Sequence, residues 1–260
     1  MSAEPQVELG IAALAPSGDG YAASQWTYGV GREPSRAMRE NGETGDVWLL
    51  SPLPRSATGT VRVERLRCIS VPATLESRRA LAVPMLATAL WAWEEVGLEL
   101  GETAVYASGT ALDRMIGCVA RWRGAVPIVR LAAAAGGSLD GVEDIDATDA
   151  DVALKQLSET VRNARGFAAI DLSGRGEIFD ILLEVLPRWG RILLGAPRSA
   201  RVTVDFYNNV HRKGAYLRAV CLDPMALFDP ARRQDRLEHV ERAVRILSDD
   251  YLAGLCLGDD

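Results

Sequence analysis

The residues best able to do chemistry in this 260-residue chain are few and scattered. Cys68, Cys118, Cys221 and Cys256 form no C-x-x-C pair, and His211 and His239 are the only histidines. A zinc site needs three or four such ligands converging on one point, usually signalled by short spacings. The cysteines therefore read as reduced, buried thiols, and no metal is expected. The acidic stretch EDIDATDAD (143–151) lacks the glycine and terminal glutamate of an EF-hand loop, so it reads as a solvated loop leading into a helix. Tyr207, Asn208, Asn209 and His211 make a polar cluster, and Trp91 and Trp93 either stack on a ligand or pack in a core. No nucleophile, acid and base stand at a diagnostic spacing, so no catalytic residue is assigned.

Composition narrows the classes. A formal charge of −6, with no block of Lys or Arg, argues against a surface that binds nucleic acid by counterion release. The longest apolar run, Ala80 to Trp93, is interrupted by Pro84 and Thr88 and is too short to cross a bilayer, so no membrane partner is expected. The start, MSAEPQVELG, has neither the basic residues nor the apolar core of a secretory signal, which predicts a cytoplasmic protein. With 48% hydrophobic residues the chain can bury a sizeable core.

Two textures divide the elements that must position any site. Residues 1–74 mix strand-like pieces, Val7–Leu14, Val47–Leu50 and Val61–Val71, with turn clusters such as PSGDG (16–20), as a small β-rich unit would. From 75 to 260 the pattern alternates. A helix capped by Thr74 is broken or kinked by Pro84 and resumes over Met85–Val96. Strands follow at Thr103–Ala107, Val126–Leu131, Phe167–Leu172, Arg191–Leu194 and Ala215–Cys221, with helices at Asp113–Arg123, Asp149–Ala164 and Glu177–Leu186 between the earlier ones. That alternation predicts βαβ units and a doubly wound parallel sheet. Asp229 and Pro230 open a last helix whose stripe is Leu237, Val240, Val244 and Leu247.

Three stretches carry a family resemblance. The run from Val71 to Ala132 resembles the junction between the catalytic and cofactor domains of medium-chain dehydrogenases/reductases. AIDLSGRGEIFDILLEVLPRWGRILLGAP (169–197) is similar to their later strand–turn–helix–strand unit, and VTVDFYNNVHRKGAYLRA (202–219) to their closing stretch. GDVWLLSP (45–52) and VRVERLRCISVPA (61–73) resemble the last strands of the family's GroES-like substrate domain, here cut down at both ends. The resemblance implies a Rossmann-like α/β domain over 75–260 behind a reduced GroES-like unit.

It also supplies three tests of the family's chemistry. No cysteine precedes Cys68 and no histidine precedes His211, so the amino-terminal region offers no catalytic zinc site. The glycines of a dinucleotide loop permit a tight turn and let backbone amides approach the pyrophosphate. Aligned backward from Gly124-Ala125, those positions hold Ser108, Thr110 and Asp113; aligned forward from Gly109 they hold Gly109, Ala111 and Arg114. Either register loses at least two glycines, and Asp113 in the first puts negative charge where an anion would sit. Where an acid would hold the ribose stand Val129 and Arg130, so the reading is no nicotinamide cofactor, with NADP as the alternative through Arg130; otherwise Arg130 is an exposed residue at a strand end.

Thr88 and the turn Gly195-Ala196-Pro197 match family positions lining the nicotinamide pocket, with Trp91, Tyr207, Asn208 and His211 as candidate substrate-pocket residues. The resemblance further implies a homodimer paired along the strand near Ala215–Cys221. The expected function is a zinc-independent, oxidoreductase-like enzyme of small-molecule metabolism, with NAD(P) binding impaired or lost and the inter-domain crevice as the site. The alternative is a non-catalytic binding or scaffold protein that keeps the fold.

Overall fold

The computed structural model describes residues 6–14, 26–32, 47–54, 56–72, 74–107, 112–132, 139–196, 201–220 and 222–257. The chain forms two compact units, Met1–Thr88 with Pro224–Asp260, and Ala89–Asp223.

The first unit is built on an antiparallel sheet of β1 (Gln6–Leu14), β2 (Trp26–Arg32), β3 (Val47–Pro54), β4 (Thr60–Glu64) and β5 (Ile69–Pro72), in the order β4-β1-β2-β3-β5. Leu49 and Leu53 of β3, Val63 of β4 and Ala57 form a small core. The stretch Val61–Val71, expected as one strand, is two. Its middle, Arg65–Arg67, is a 3₁₀ turn with Leu66 exposed, where the alternation of apolar residues fails.

Helix α1 (Ser77–Glu95) runs through Pro84 as one element, so of the expected break or kink the break does not occur. Proline removes one backbone donor, but Ala80, Leu81, Val83, Leu86 and Ala87 are all buried, and that packing holds the helix together. The chain's last part also departs from expectation. Asp229 caps α5 (Pro230–Arg233) through a bond from the Ala231 amide, but a 3₁₀ turn at Gln234–Arg236 separates α5 from α6 (Leu237–Leu247), and α7 (Asp250–Leu257) follows. These elements belong to the first unit and not to a domain of 75–260. Arg233 donates to the carbonyls of Cys68 and Leu66 at 2.7 and 2.9 Å, and Arg79 to Asp250 at 2.7 Å.

The second unit holds a parallel sheet of β6 (Thr103–Ala107), β7 (Ile128–Ala132), β8 (Glu143–Asp146), β9 (Phe167–Asp171), β10 (Arg191–Leu194) and β11 (Tyr216–Ala219), in the order β11-β10-β9-β6-β7-β8. This is the doubly wound order, its reversal lying between β6 and β9. Helices α2 (Asp113–Trp122), α3 (Ala150–Val161) and α4 (Gly176–Val185) connect the strands. Every residue of β6, β7 and β9 is buried, as parallel strands covered on both faces require. Strand β8 occupies the acidic stretch expected as a loop: only its Ile145 is buried, so its sequence reads as solvated while its backbone pairs with β7.

Side chains alternate across the sheet, and that alternation places the candidate site. Val105, Ala107, Val129, Leu131 and Ile145 pack with Leu157 of α3 and Leu182 of α4. Tyr106, Arg130 and Asp144, one step out of phase, lie side by side in register and point the other way, toward α2.

Candidate functional site

That second face carries a polar row under α2. Arg130, with 5% of its side chain exposed, grips Asp144 with two parallel bonds, Nε to Oδ1 and Nη2 to Oδ2, both 2.7 Å. Its Nη1 lies 3.9 Å from Oδ2 of Asp113, the first residue of α2. A planar guanidinium matches a carboxylate in this two-pronged way, and such charge-assisted bonds are the stronger kind. The bond to Asp144 raises the Arg130 pKa above its already high ordinary value, against burial. Tyr106 completes the row: fully buried, its phenol has no hydrogen-bond partner among the described residues, and burial pushes its pKa upward. The hydroxyl lies against Gly117 of α2, where a Cβ would approach to 2.8 Å, so any larger residue there would have to push the phenol or the helix aside.

Arg130 is thus neither exposed nor at a strand end. β7 runs two residues further, to Ala132, and the guanidinium is engaged by two carboxylates of this chain. The guanidinium that the NADP alternative gives to a 2′-phosphate is thus held by this chain's own carboxylates. Sequence reasoning missed Tyr106 and Asp144. The period-two match of TAVYA, IVRLA and EDID is the signal that could have found them, once EDID is taken as a strand.

The carboxyl ends of β9 and β10 form the other part of the site. Asp171, at the last position of β9, is buried; its Oδ1 accepts from the amide and hydroxyl of Ser173 at 2.9 and 2.7 Å, and Ser173 Oγ accepts from the Arg175 amide. Gly195 follows β10, its amide donating to the Asp171 carbonyl. A Cβ on Gly195 would stand 2.3 Å from Leu222 and 2.7 Å from Leu172, so the chain's own leucines explain the glycine. Ala196 is half-buried beside it.

The remaining candidates are dispersed. Thr88 is fully buried and its hydroxyl donates to the Pro84 carbonyl at 2.8 Å, within its own helix. Trp91 is half-buried, whereas Trp93 is fully buried with its indole N–H on the Ile116 carbonyl, a core role. Tyr207, Asn208 and His211 do come together, on a π-helical turn (Phe206–His211) capped by Asp205. Tyr207 stacks on His211 with 64% of its surface exposed, and Asn208 bonds Asp205 and Arg212. This turn leads into the amino end of β11, so it does not join the group around Gly195 at the strands' carboxyl ends. Ser108, Gly109, Thr110 and Pro197 lie outside the described residues.

No protein-family model matches the sequence, and no curated protein matches it. Solved structures do. The doubly wound sheet and antiparallel unit are the fold of medium-chain dehydrogenases/reductases, the zinc dehydrogenases and quinone oxidoreductases among them. Galactitol-1-phosphate dehydrogenase from Escherichia coli superposes with a TM-score of 0.69 at 9% identity, covering 96% of this chain and 83% of that one. CurA from Vibrio vulnificus in complex with NADPH gives 0.60 at 18% identity (99% and 88%), and the quinone oxidoreductase from Thermus thermophilus, also solved with NADPH, 0.62 at 16% (92% and 81%).

CurA and the quinone oxidoreductase bind NADPH, and two described residues of this chain bear on such a ligand. The helix start that would face a diphosphate carries the carboxylate of Asp113, and the nearby cation Arg130 is held by Asp144. Among the described residues no group of three or more His, Cys, Asp or Glu side chains is arranged to hold a metal ion, and no helix is long and apolar enough to cross a membrane.

Proposed function

We propose that this chain is a zinc-independent, oxidoreductase-like enzyme of small-molecule metabolism in which NAD(P) binding is impaired or lost, acting at the carboxyl ends of β6, β9 and β10. One observation carries the reading: the two-pronged Arg130–Asp144 pair with Asp113 beside it. A cation engaged in this way leaves a 2′-phosphate nothing to replace water with, and a carboxylate at a helix start opposes an incoming anion. The quinone oxidoreductase and CurA relatives make quinones and NADPH the first probes.

The test is titration of the purified protein with NADPH and NADH, followed by tryptophan quenching and energy transfer, with quinone reduction assayed in parallel. The reading expects no saturable signal up to about 1 mM, where binding free energy is only about −4 kcal/mol. A second reading, a non-catalytic binding or scaffold protein, is favoured by Thr88, whose hydroxyl is occupied within its helix and buried from any ligand. Failure of a small-molecule library to bind at all would select it.

The proposal includes a homodimer formed along β11. That strand ends the sheet; its first residue, Tyr216, is 46% exposed, and Trp189 near its start is 76% exposed. A strand edge with little charge and exposed aromatics is suited to pairing with a copy of itself across a two-fold axis.

A further inference from the structure

We propose that the antiparallel unit holds a binding site of its own, a cavity between the open edges of β3 and β4 that takes a small, uncharged, mostly apolar molecule carrying one carbonyl or hydroxyl oxygen. The cavity has a volume of about 410 Å³ and is lined by Ser51–Pro54, Val61–Glu64 and Arg67, all of the first unit. That volume lies in the range of small-molecule sites. None of these residues takes part in the reaction proposed above, so the two readings stand or fall separately.

Strand pairing explains why the space exists. β3 pairs with β2 from Leu49 to Pro54 but with β5 only from Val47 to Leu50, so on the β5 side Ser51–Pro54 have no strand beside them among the described residues. β4 pairs with β1 and ends the sheet. Consecutive residues of each strand line the cavity, so it meets both strands along their edges; a sheet face would offer only every second residue. Pro52 and Pro54 have no N–H to give, so no regular ladder can close the gap from the β3 side. Arg62 and Glu64 put charge on the facing edge, a further deterrent to a pairing strand. The slot is therefore suited to a compact molecule and not to an extended peptide.

The wall says what would fit. Buried Leu53 and Val63 and half-buried Pro52 and Val61 make it mainly apolar. Ser51 is the exception. It is 1% exposed, and its hydroxyl donates to the carbonyl of the next residue, Pro52, at 3.4 Å, beyond the usual length of such a bond. A carbonyl or hydroxyl oxygen in the cavity would give that donor a better acceptor. The charged residues do not call for a charged ligand: Arg67 and Glu64 pair with each other at 2.7 Å, and Arg62 has an interaction of its own within the chain.

The test is an NMR titration of the full chain, its valine and leucine methyls labelled, with acetophenone, ethylbenzene and benzoate. The first two are similar in size, and only the ketone offers an oxygen. Both are expected to shift the methyls of Leu53, Val61 and Val63 saturably, with half-saturation at or below about 1 mM. Benzoate should bind at least about tenfold more weakly, because its charge has to leave water. Ser51→Ala should weaken acetophenone about fivefold to tenfold and leave ethylbenzene unchanged. Val61→Phe, which fills the gap, should weaken both at least about tenfold. Thermal melts check that the variants fold, and if Val61→Phe does not, the Ser51 comparison decides alone. The proposal is overturned if the wild type shows no saturable shift of those methyls, or if benzoate binds tightest. It is equally overturned if a folded Val61→Phe binds undiminished, or if Ser51→Ala affects the two neutral probes alike or not at all.

Discussion

The two edges of the parallel sheet are finished in opposite ways. β8 presents Glu143, Asp144 and Asp146 within four residues, and one of them, Asp144, is turned to use on the buried Arg130. β11 reads Tyr216-Leu217-Arg218-Ala219, its one charge neutralised by Glu95, and Trp189 stands exposed near its start. Trp189 is held in a left-handed backbone conformation, φ 64°, its ring against Gly214, where a Cβ would come within 2.7 Å. Charge on an edge deters pairing with another strand, and its absence leaves pairing open. One edge therefore deters a pairing strand and supplies Asp144 to the buried row, while the other carries the proposed assembly.

The largest effect expected from breaking this contrast is on the closed side. Arg130→Met leaves Asp144 and Asp113 without their shared cation, and removing one partner of a buried pair destabilises by about 3–5 kcal/mol. Urea denaturation checks it, and a loss under about 1 kcal/mol would mean that the row is ornamental to the fold. On the open side, Tyr216→Lys places a charge on the pairing edge. Sedimentation should show the dimer weakened by about tenfold or more while the monomer's melting temperature moves little. A chain that is monomeric before the substitution contradicts the assembly reading.

Smaller effects sharpen the same comparison. Replacing Glu143 and Asp146 by Thr removes the deterrent from β8, and light scattering on heating should show faster aggregation with the near-ultraviolet spectrum unchanged. Last comes a pH effect. The backbone amide of Thr148, with its hydroxyl second, holds the Asp146 carboxyl below its ordinary value of 3.8. A carboxyl lowered on folding stabilises above its unfolded pKa, and that contribution is lost as pH falls through the lowered folded value. Asp146→Asn should remove only this acid-side dependence of stability, and NMR titration of the Asp146 carboxyl in the unsubstituted chain checks the lowered value directly.

Local signals explain what is legible in the sequence. β6 and β10 fall on the expected residues, Thr103–Ala107 and Arg191–Leu194, because a short apolar run flanked by turn residues reads as a buried strand. α3 begins where Asp149 caps it. β2 escapes such a reading because WTYGVGR carries two glycines and little alternation, and β8 because a single buried isoleucine sits among acids. The return of Pro224–Leu257 to the first unit depends on contacts such as Arg233 to Cys68, 165 residues apart, which no local pattern announces.

The candidate site divides in the same way. Asp113 is legible as a negative charge at a helix start, since that depends only on its own helix. Arg130 is not, because its meaning depends on Asp144, a residue on the neighbouring strand whose register has first to be known. Gly195 and Thr88, candidates through the resemblance, are surrounded in this chain by Leu172, Leu222 and a helix carbonyl.

The most direct measurement is a calorimetric titration of the wild-type chain with NADPH at moderate salt. The account predicts no saturable heat up to about 1 mM. A one-to-one isotherm with micromolar affinity would contradict it, because Arg130 would then have been drawn from Asp144 or the diphosphate tolerated beside Asp113.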